Sequence, residues 1–342
     1  MSNRSAQSHV QMTTSATAVL RFADGRRADG VAPGDSRPAG AVWLDLISPD
    51  DEMLVLAEAW TGIRLPGPGS MHQTAPSQRF RRRGQGVTLV LPVASINQAG
   101  DVRVEPVGVM LSRDLMVTVR RHDLAAFQRL NEDLDEVSDG LLSPDHVLVA
   151  LIEALVGSVA DGLAEVAEEL APLSRQAFAT PVELGRNGRL AERQLQVVMR
   201  TLGRLADGVG QFLEALGWLD AVPEFLHDVS GYPFAPEHAA RIAVFDRDID
   251  GLARQAGNTA TRVQMLLDAT LGAINIRQAA VMKVQSVVAT VFLPPTLIAS
   301  IYGMNFDIIP ELHLAIGYPL ALGLMVATAV LPYMFMKWRG WL

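Results

Sequence analysis

The stretch that most limits this chain is residues 283–306, KVQSVVATVFLPPTLIASIYGMNF. Its part 284–302 carries no charge and is mostly apolar for about 19 residues, enough at 1.5 Å per residue to cross a hydrocarbon layer of roughly 30 Å. A second uncharged run of about 23 residues follows at 314–336, and no comparable run is read upstream. The expectation is therefore two membrane spans close together near the C-terminus. Lys283 precedes the first, and Lys337 and Arg339 follow the second. The short loop between them, 303–313, holds Asp307 and Glu311 but no Lys or Arg. Positive charge stays on the cytoplasmic side, so both ends of this hairpin are expected inside and its loop outside. Tyr302 and Tyr318 suit the outer interface, Trp338 and Trp341 the inner one.

The first span has a patterned surface. Met282, Gln285, Ala289, Leu293, Thr296 and Ser300 recur by threes and fours and share one helical face. The opposite face carries Val284, Val287, Val288, Val291, Phe292 and Ile298. A small and polar stripe within lipid has two readings. It is a seam for close helix–helix approach, or it lines a water-filled pore built from several copies. Pro294 and Pro295 interrupt the same helix and release backbone carbonyls that need another partner.

Elsewhere the sequence excludes more than it assigns. With no Cys there are no disulfides and no thiolate zinc sites, and the seven His are scattered without metal-ligand spacing. A net charge of -8 and the lack of a long basic tract argue against nucleic acid as a partner. The cluster Arg79, Arg81, Arg82 and Arg83 lies in a Pro/Gly-rich stretch, 65–86, read as a solvated loop. No secretory signal opens the chain, and no phosphate loop, nucleophile elbow or catalytic carboxylate pair is recognisable, so no enzymatic activity and no bound cofactor are expected.

Strand-like runs at 17–22, 41–46, 87–93, 102–111 and 115–119, with a helix opened by Ser48-Pro49, make residues 1–140 an α/β domain. From Pro144 the period becomes helical, and residues 141–235 read as a helical hairpin broken at 223–236. No further Pro occurs until Pro294, so 236–283 is expected to be a stalk helix that continues into the membrane domain, 284–342.

The run FLPPTLIASIYGMNF, then PEL at 310–312 and GYP at 317–319, resembles the signature of the CorA family of magnesium and cobalt transport proteins. The likeness extends back through RDID at 247–250 and INIRQ at 274–278; further upstream it is one of architecture. The resemblance implies a funnel-shaped homopentameric channel in the cell's inner (plasma) membrane, with both termini cytoplasmic. Its first span would line the pore, and Gly303, Met304 and Asn305 would ring the outer mouth as the selectivity filter. Mg2+ holds its six waters tightly, and neutral Asn305 amides can hydrogen-bond those waters without stripping them. Asp307 and Glu311 either draw cations toward the mouth or simply keep the loop solvated.

The pattern also departs from the family's. Ala279 and Gln285 stand where an Asn and an apolar gate residue are common, while Met282 and Leu293 keep apolar constrictions. Asp268 matches a position that binds regulatory Mg2+, yet 79–87, where its partner should lie, has no acid. Three functions remain open from sequence: a channel for hydrated Mg2+ that extends to Co2+ and Ni2+, a zinc-transporting relative, and a membrane-anchored structural or signalling protein.

Overall fold

The computed structural model describes residues 17–32, 34–65, 67–71, 78–84, 86–97, 100–136, 142–177, 188–229, 231–304 and 316–340. The chain begins with β1 (Thr17–Phe22), β2 (Arg27–Asp29), β3 (Ala41–Ile47), α1 (Asp51–Thr61), α2 (Pro68–Met71) and β4 (Phe80–Arg83). It continues through β5 (Gly86–Ile96), β6 (Val102–Leu111), β7 (Met116–Arg120) and α3 (Ala125–Glu136). Helices α4 (Pro144–Ala177), α5 (Gly188–Leu219) and α6 (Ala221–Glu224) follow, then a π turn at Phe225–Val229, α7 (Pro236–Tyr302) and α8 (Gly317–Trp338).

The seven strands form one sheet in the order β2-β1-β3-β7-β6-β5-β4. Only β3 and β7 pair in parallel among them. Period-two alternation sorts the strand residues between two cores. Val87, Leu89, Leu91 and Val93 of β5, with Val107, Val109 and Leu111 of β6, meet α3, α4 and α5. Val90, Met110, Val117 and Val119 point the other way, into a core that includes Leu56 and Ala57 of α1 and Met71 of α2. Helix α1 starts two residues later than Ser48-Pro49 led one to expect: Asp50 is its cap, with its side chain accepting from the Met53 N–H at 2.9 Å, and Asp51 and Glu52 occupy the positive first turn.

Several features differ from the sequence reading. Strands β2 and β4 and helix α3 were not anticipated, and β4 holds three of the four clustered arginines on the sheet's edge, paired with β5. Instead of standing free in solvent, Arg79 places its guanidinium carbon 3.2 Å from the Trp218 ring centroid, and the neighbouring Phe80 stacks on Phe225 at 5.6 Å. Long arginine stems cover apolar surface, which an apolar/polar alternation rule does not detect. Finally, α4 is itself long and apolar enough to cross a membrane, one of three such helices among the described residues. Its most apolar window is 67% buried within the protein, against 0% for α7 and 6% for α8, so α4 is a core helix.

The chain falls into two compact units, Met1–Ala179 with Gln196–Leu267, and Thr180–Leu195 with Asp268–Leu342. The sheet and α4 share one core with α5, so the change of secondary structure near 140 does not separate two cores. In the first unit, α7 buries Ile242, Phe245, Ile249, Ala256, Val263 and Leu266, a stripe of threes, fours and sevens. In the second, α7 continues to Tyr302 without interruption, 67 residues in all, through Pro294 and Pro295. Helix α8 ends at Trp338; residues 314 and 315, expected to open the second span, lie outside the described residues.

Candidate functional site

All six residues expected to line a pore, Met282, Gln285, Ala289, Leu293, Thr296 and Ser300, are on α7 and exposed in the single chain. At 100° per residue they fall within an arc of about 80°. The half-buried residues of the same segment are Val287, Thr290, Val291, Pro294, Pro295, Ile298 and Tyr302. Their face is centred about 175° from the stripe. Helix α8 has a comparable covered face at Gly317, Ala321, Met325, Thr328, Ala329, Pro332 and Met336. The chain thus covers one side of the first span and leaves the small and polar stripe uncovered, together with Val284, Val288 and Phe292.

Most hydroxyls on this span are satisfied by the helix itself. Ser286 Oγ donates to the Met282 carbonyl at 2.8 Å, Thr290 Oγ1 to Ser286 at 2.8 Å, and Thr296 Oγ1 to Phe292 at 2.7 Å. Prolines at 294 and 295 remove the N–H groups that would serve the Thr290 and Val291 carbonyls, and Thr296 does not replace them. Gly303 and Met304 close the helix, with Gly303 N–H donating to Ala299 at 2.9 Å and Met304 N–H to Ile301 at 3.2 Å. A Cβ at Gly303 would sit 3.2 Å from the Ala299 carbonyl oxygen, so even alanine would crowd this closure. Met304 is half exposed. Asn305, Asp307 and Glu311 lie outside the described residues.

Asp268 is exposed on α7. Among the described residues no group of three or more His, Asp or Glu side chains is arranged to hold a metal ion. The first unit does contain a cluster that sequence reasoning missed. At the start of α7, buried His238 Nδ1 lies 2.8 Å from Asp145 Oδ2 of α4, which also accepts from the Ala235 N–H at 3.4 Å. His146 meets His238 edge to face at 5.4 Å between ring centroids, and Arg241 pairs with Glu153 one turn further along. Burial, together with the charges at His238 and Arg241, holds His146 below its usual pKa. Burial alone would raise Asp145, but hydrogen bonds from Ser143, His238 and Ala235 outweigh it and hold the carboxyl below its usual value. No spacing could have announced this cluster, because Asp145 and His238 are 93 positions apart.

An α/β unit with two long apolar helices, the first bearing an uncovered polar stripe, defines a membrane transport protein rather than an enzyme. Residues 38–337 match the family described as CorA-like Mg2+ transporter protein, and the chain belongs to that family. It is 31% identical over 304 residues to a magnesium transport protein CorA of Haemophilus influenzae, covering 88% of this chain and 92% of that one. Against the magnesium transport protein CorA of Escherichia coli K12 the identity is 29% over 311 residues, covering 90% and 94%. The fold is similar to the complete structure of the CorA magnesium transporter from Methanocaldococcus jannaschii, with a TM-score of 0.71 at 18% identity over 96% of this chain and 98% of that one.

Proposed function

We propose that this protein is a channel for hydrated Mg2+, with Co2+ and Ni2+ as further cargo, in which five copies surround a pore lined by Met282, Gln285, Ala289, Leu293, Thr296 and Ser300. The observation that carries the reading is the uncovered stripe on a lipid-length helix, free of charged side chains from Gln285 to Ser300. A helix serving only as an anchor has no use for a polar face in lipid. Family membership and the names of the relatives support magnesium as the cargo.

Selection falls to the ring of Gly303, Met304 and Asn305 at the outer mouth. Mg2+ keeps its first-shell waters, and neutral amides hold those waters by hydrogen bonds while a ring of carboxylates would hold any divalent ion. Asp307 and Glu311 raise the local cation concentration at that mouth. Along the neutral stripe binding is weak, which lets the ion leave. The membrane potential supplies the drive: two charges crossing 100 mV gain about 4.6 kcal/mol. The membrane is the inner (plasma) membrane, and both termini are cytoplasmic. Asp268 is a candidate ligand for a regulatory Mg2+.

The test is uptake into proteoliposomes with Mg2+, Co2+, Ni2+ and Zn2+ in competition. Asn305→Ala is expected to abolish Mg2+ uptake without changing the oligomer's elution. Asn305→Asp is expected to bind cations and lose discrimination. Wild-type uptake by Asn305→Ala would place the filter elsewhere, and preferred uptake of Zn2+ by the parent would assign zinc as the cargo.

A further inference from the structure

The polar groups on the first span divide into two kinds. Ser286, Thr290 and Thr296 spend their hydroxyl protons on carbonyls one turn back in their own helix. Gln285 and Ser300 have no such bond, and of the two only Gln285 carries an amide; its side chain is exposed with no hydrogen-bond partner among the described residues. An amide brings two donors and two acceptor lone pairs, and taking it into hydrocarbon unpaired costs roughly 2–7 kcal/mol. In a lipid-facing position that cost would recur in every copy. Gln285 instead lies on the uncovered stripe, about 27 Å by helical rise from Gly303 at the far end. Lys283, two residues earlier, is rotated about 160° away, so no fixed positive charge shares this face. Met282 lies about 60° to one side, one turn inward, and Ala289 follows one turn outward with a side chain too small to crowd the site.

We propose that Gln285 forms a second, inner site for the hydrated divalent cation, at the cytoplasmic end of the span. The amide oxygens accept hydrogen bonds from the ion's first-shell waters, whose protons are made strong donors by the metal. The amide NH2 groups are satisfied by lumen water or by the oxygen of a neighbouring copy. Being neutral, the ring holds the ion loosely and lets it pass to the cytoplasm. This site rests on the pore reading above, and the experiment separates the two.

The chain has no Cys, so a single introduced thiol reports without background. Met282→Cys is reconstituted, and a cationic, impermeant thiol reagent is added to the cytoplasmic face with and without Mg2+. Labelling is expected without the ion. Mg2+ at about ten times its half-protecting concentration should slow it about tenfold, by simple occupancy. Adding Gln285→Asn should retain the protection, and adding Gln285→Leu should remove it while labelling without Mg2+ persists. Labelling that Mg2+ never slows, or protection that survives Gln285→Leu, overturns the inner site. Should Met282→Cys, Ala289→Cys and Leu293→Cys all stay unlabelled, the pore reading falls and the inner site falls with it.

Discussion

At the scale of single residues, the most demanding arrangement lies in the sheet, away from the membrane. Arg120 of β7 and Asp45 of β3 are both buried and pair at 2.9 Å. Trp43 Nε1 donates to Thr118 Oγ1 at 3.0 Å, and Thr118 Oγ1 donates to Asp45 at 2.6 Å. Arg120 also donates to the His122 carbonyl and to Asp123, and its guanidinium carbon sits 4.5 Å from the Phe127 ring centroid. Burial opposes the Arg120 charge, yet the two carboxylates outweigh it and hold its pKa above the usual value. Removing one partner leaves the other charged and unpaired. Arg120→Met should therefore cost about 3–5 kcal/mol and lower the Tm of the purified full-length protein by on the order of 10 °C. A Tm within about 2 °C of the parent would show that water or rearrangement satisfies Asp45.

At the scale of elements, the joint between α4 and α7 is sensitive to acid. From α4 it involves Asp145, His146 and Glu153; from α7, Glu237, His238 and Arg241. Tyr232, in the segment before α7, is pushed by burial to about 12 and stays protonated throughout. His146 has a folded pKa below the ordinary 6.5, so unfolding binds a proton and the joint weakens as pH falls below that value. Asp145, also held below its ordinary 3.8, adds a second loss at stronger acid, as pH falls through its folded pKa. Denaturant unfolding followed from pH 7.5 to 5 should show stability falling with acid. His146→Gln should reduce that slope, and an unchanged slope would remove His146 as its source. Neither the alternation of apolar residues nor any spacing pointed to this joint. It exists because the helices bring residues 145, 146 and 238 together.

At the scale of the whole molecule, the charge pattern predicts an orientation that chemistry can check. Glu311→Cys is expected to react with an impermeant thiol reagent outside intact cells. Arg83→Cys, on the edge strand β4, should react only after permeabilisation. The reverse labelling would invert the assigned topology. The result bears on transport because the proposed filter and the proposed inner site must open to opposite sides of the membrane.

Much of this architecture was legible before any coordinates. A run of apolar residues long enough to span lipid is a statement about composition and length, and α7 and α8 are helices long and apolar enough to do so. The absence of Pro between Pro236 and Pro294 leaves nothing to break α7, and the helix is continuous. The stripe from Met282 to Ser300 follows from 3.6 residues per turn alone. Tertiary structure decided what local pattern does not encode. Helix α4 meets the same length and hydropathy criteria as a span, yet the sheet and its neighbouring helices bury it. Arg81, Arg82 and Arg83 read as a polar loop, yet β5 supplies the hydrogen-bonding partner that makes them an edge strand. Gln285 was visible in sequence as an oddity on the stripe, but only the folded helix shows the neighbouring hydroxyls bonded back to their own carbonyls while its amide stays uncommitted. In each case the deciding quantity is a partner distant in sequence, or a side-chain choice among competing hydrogen bonds, and local sequence carries neither.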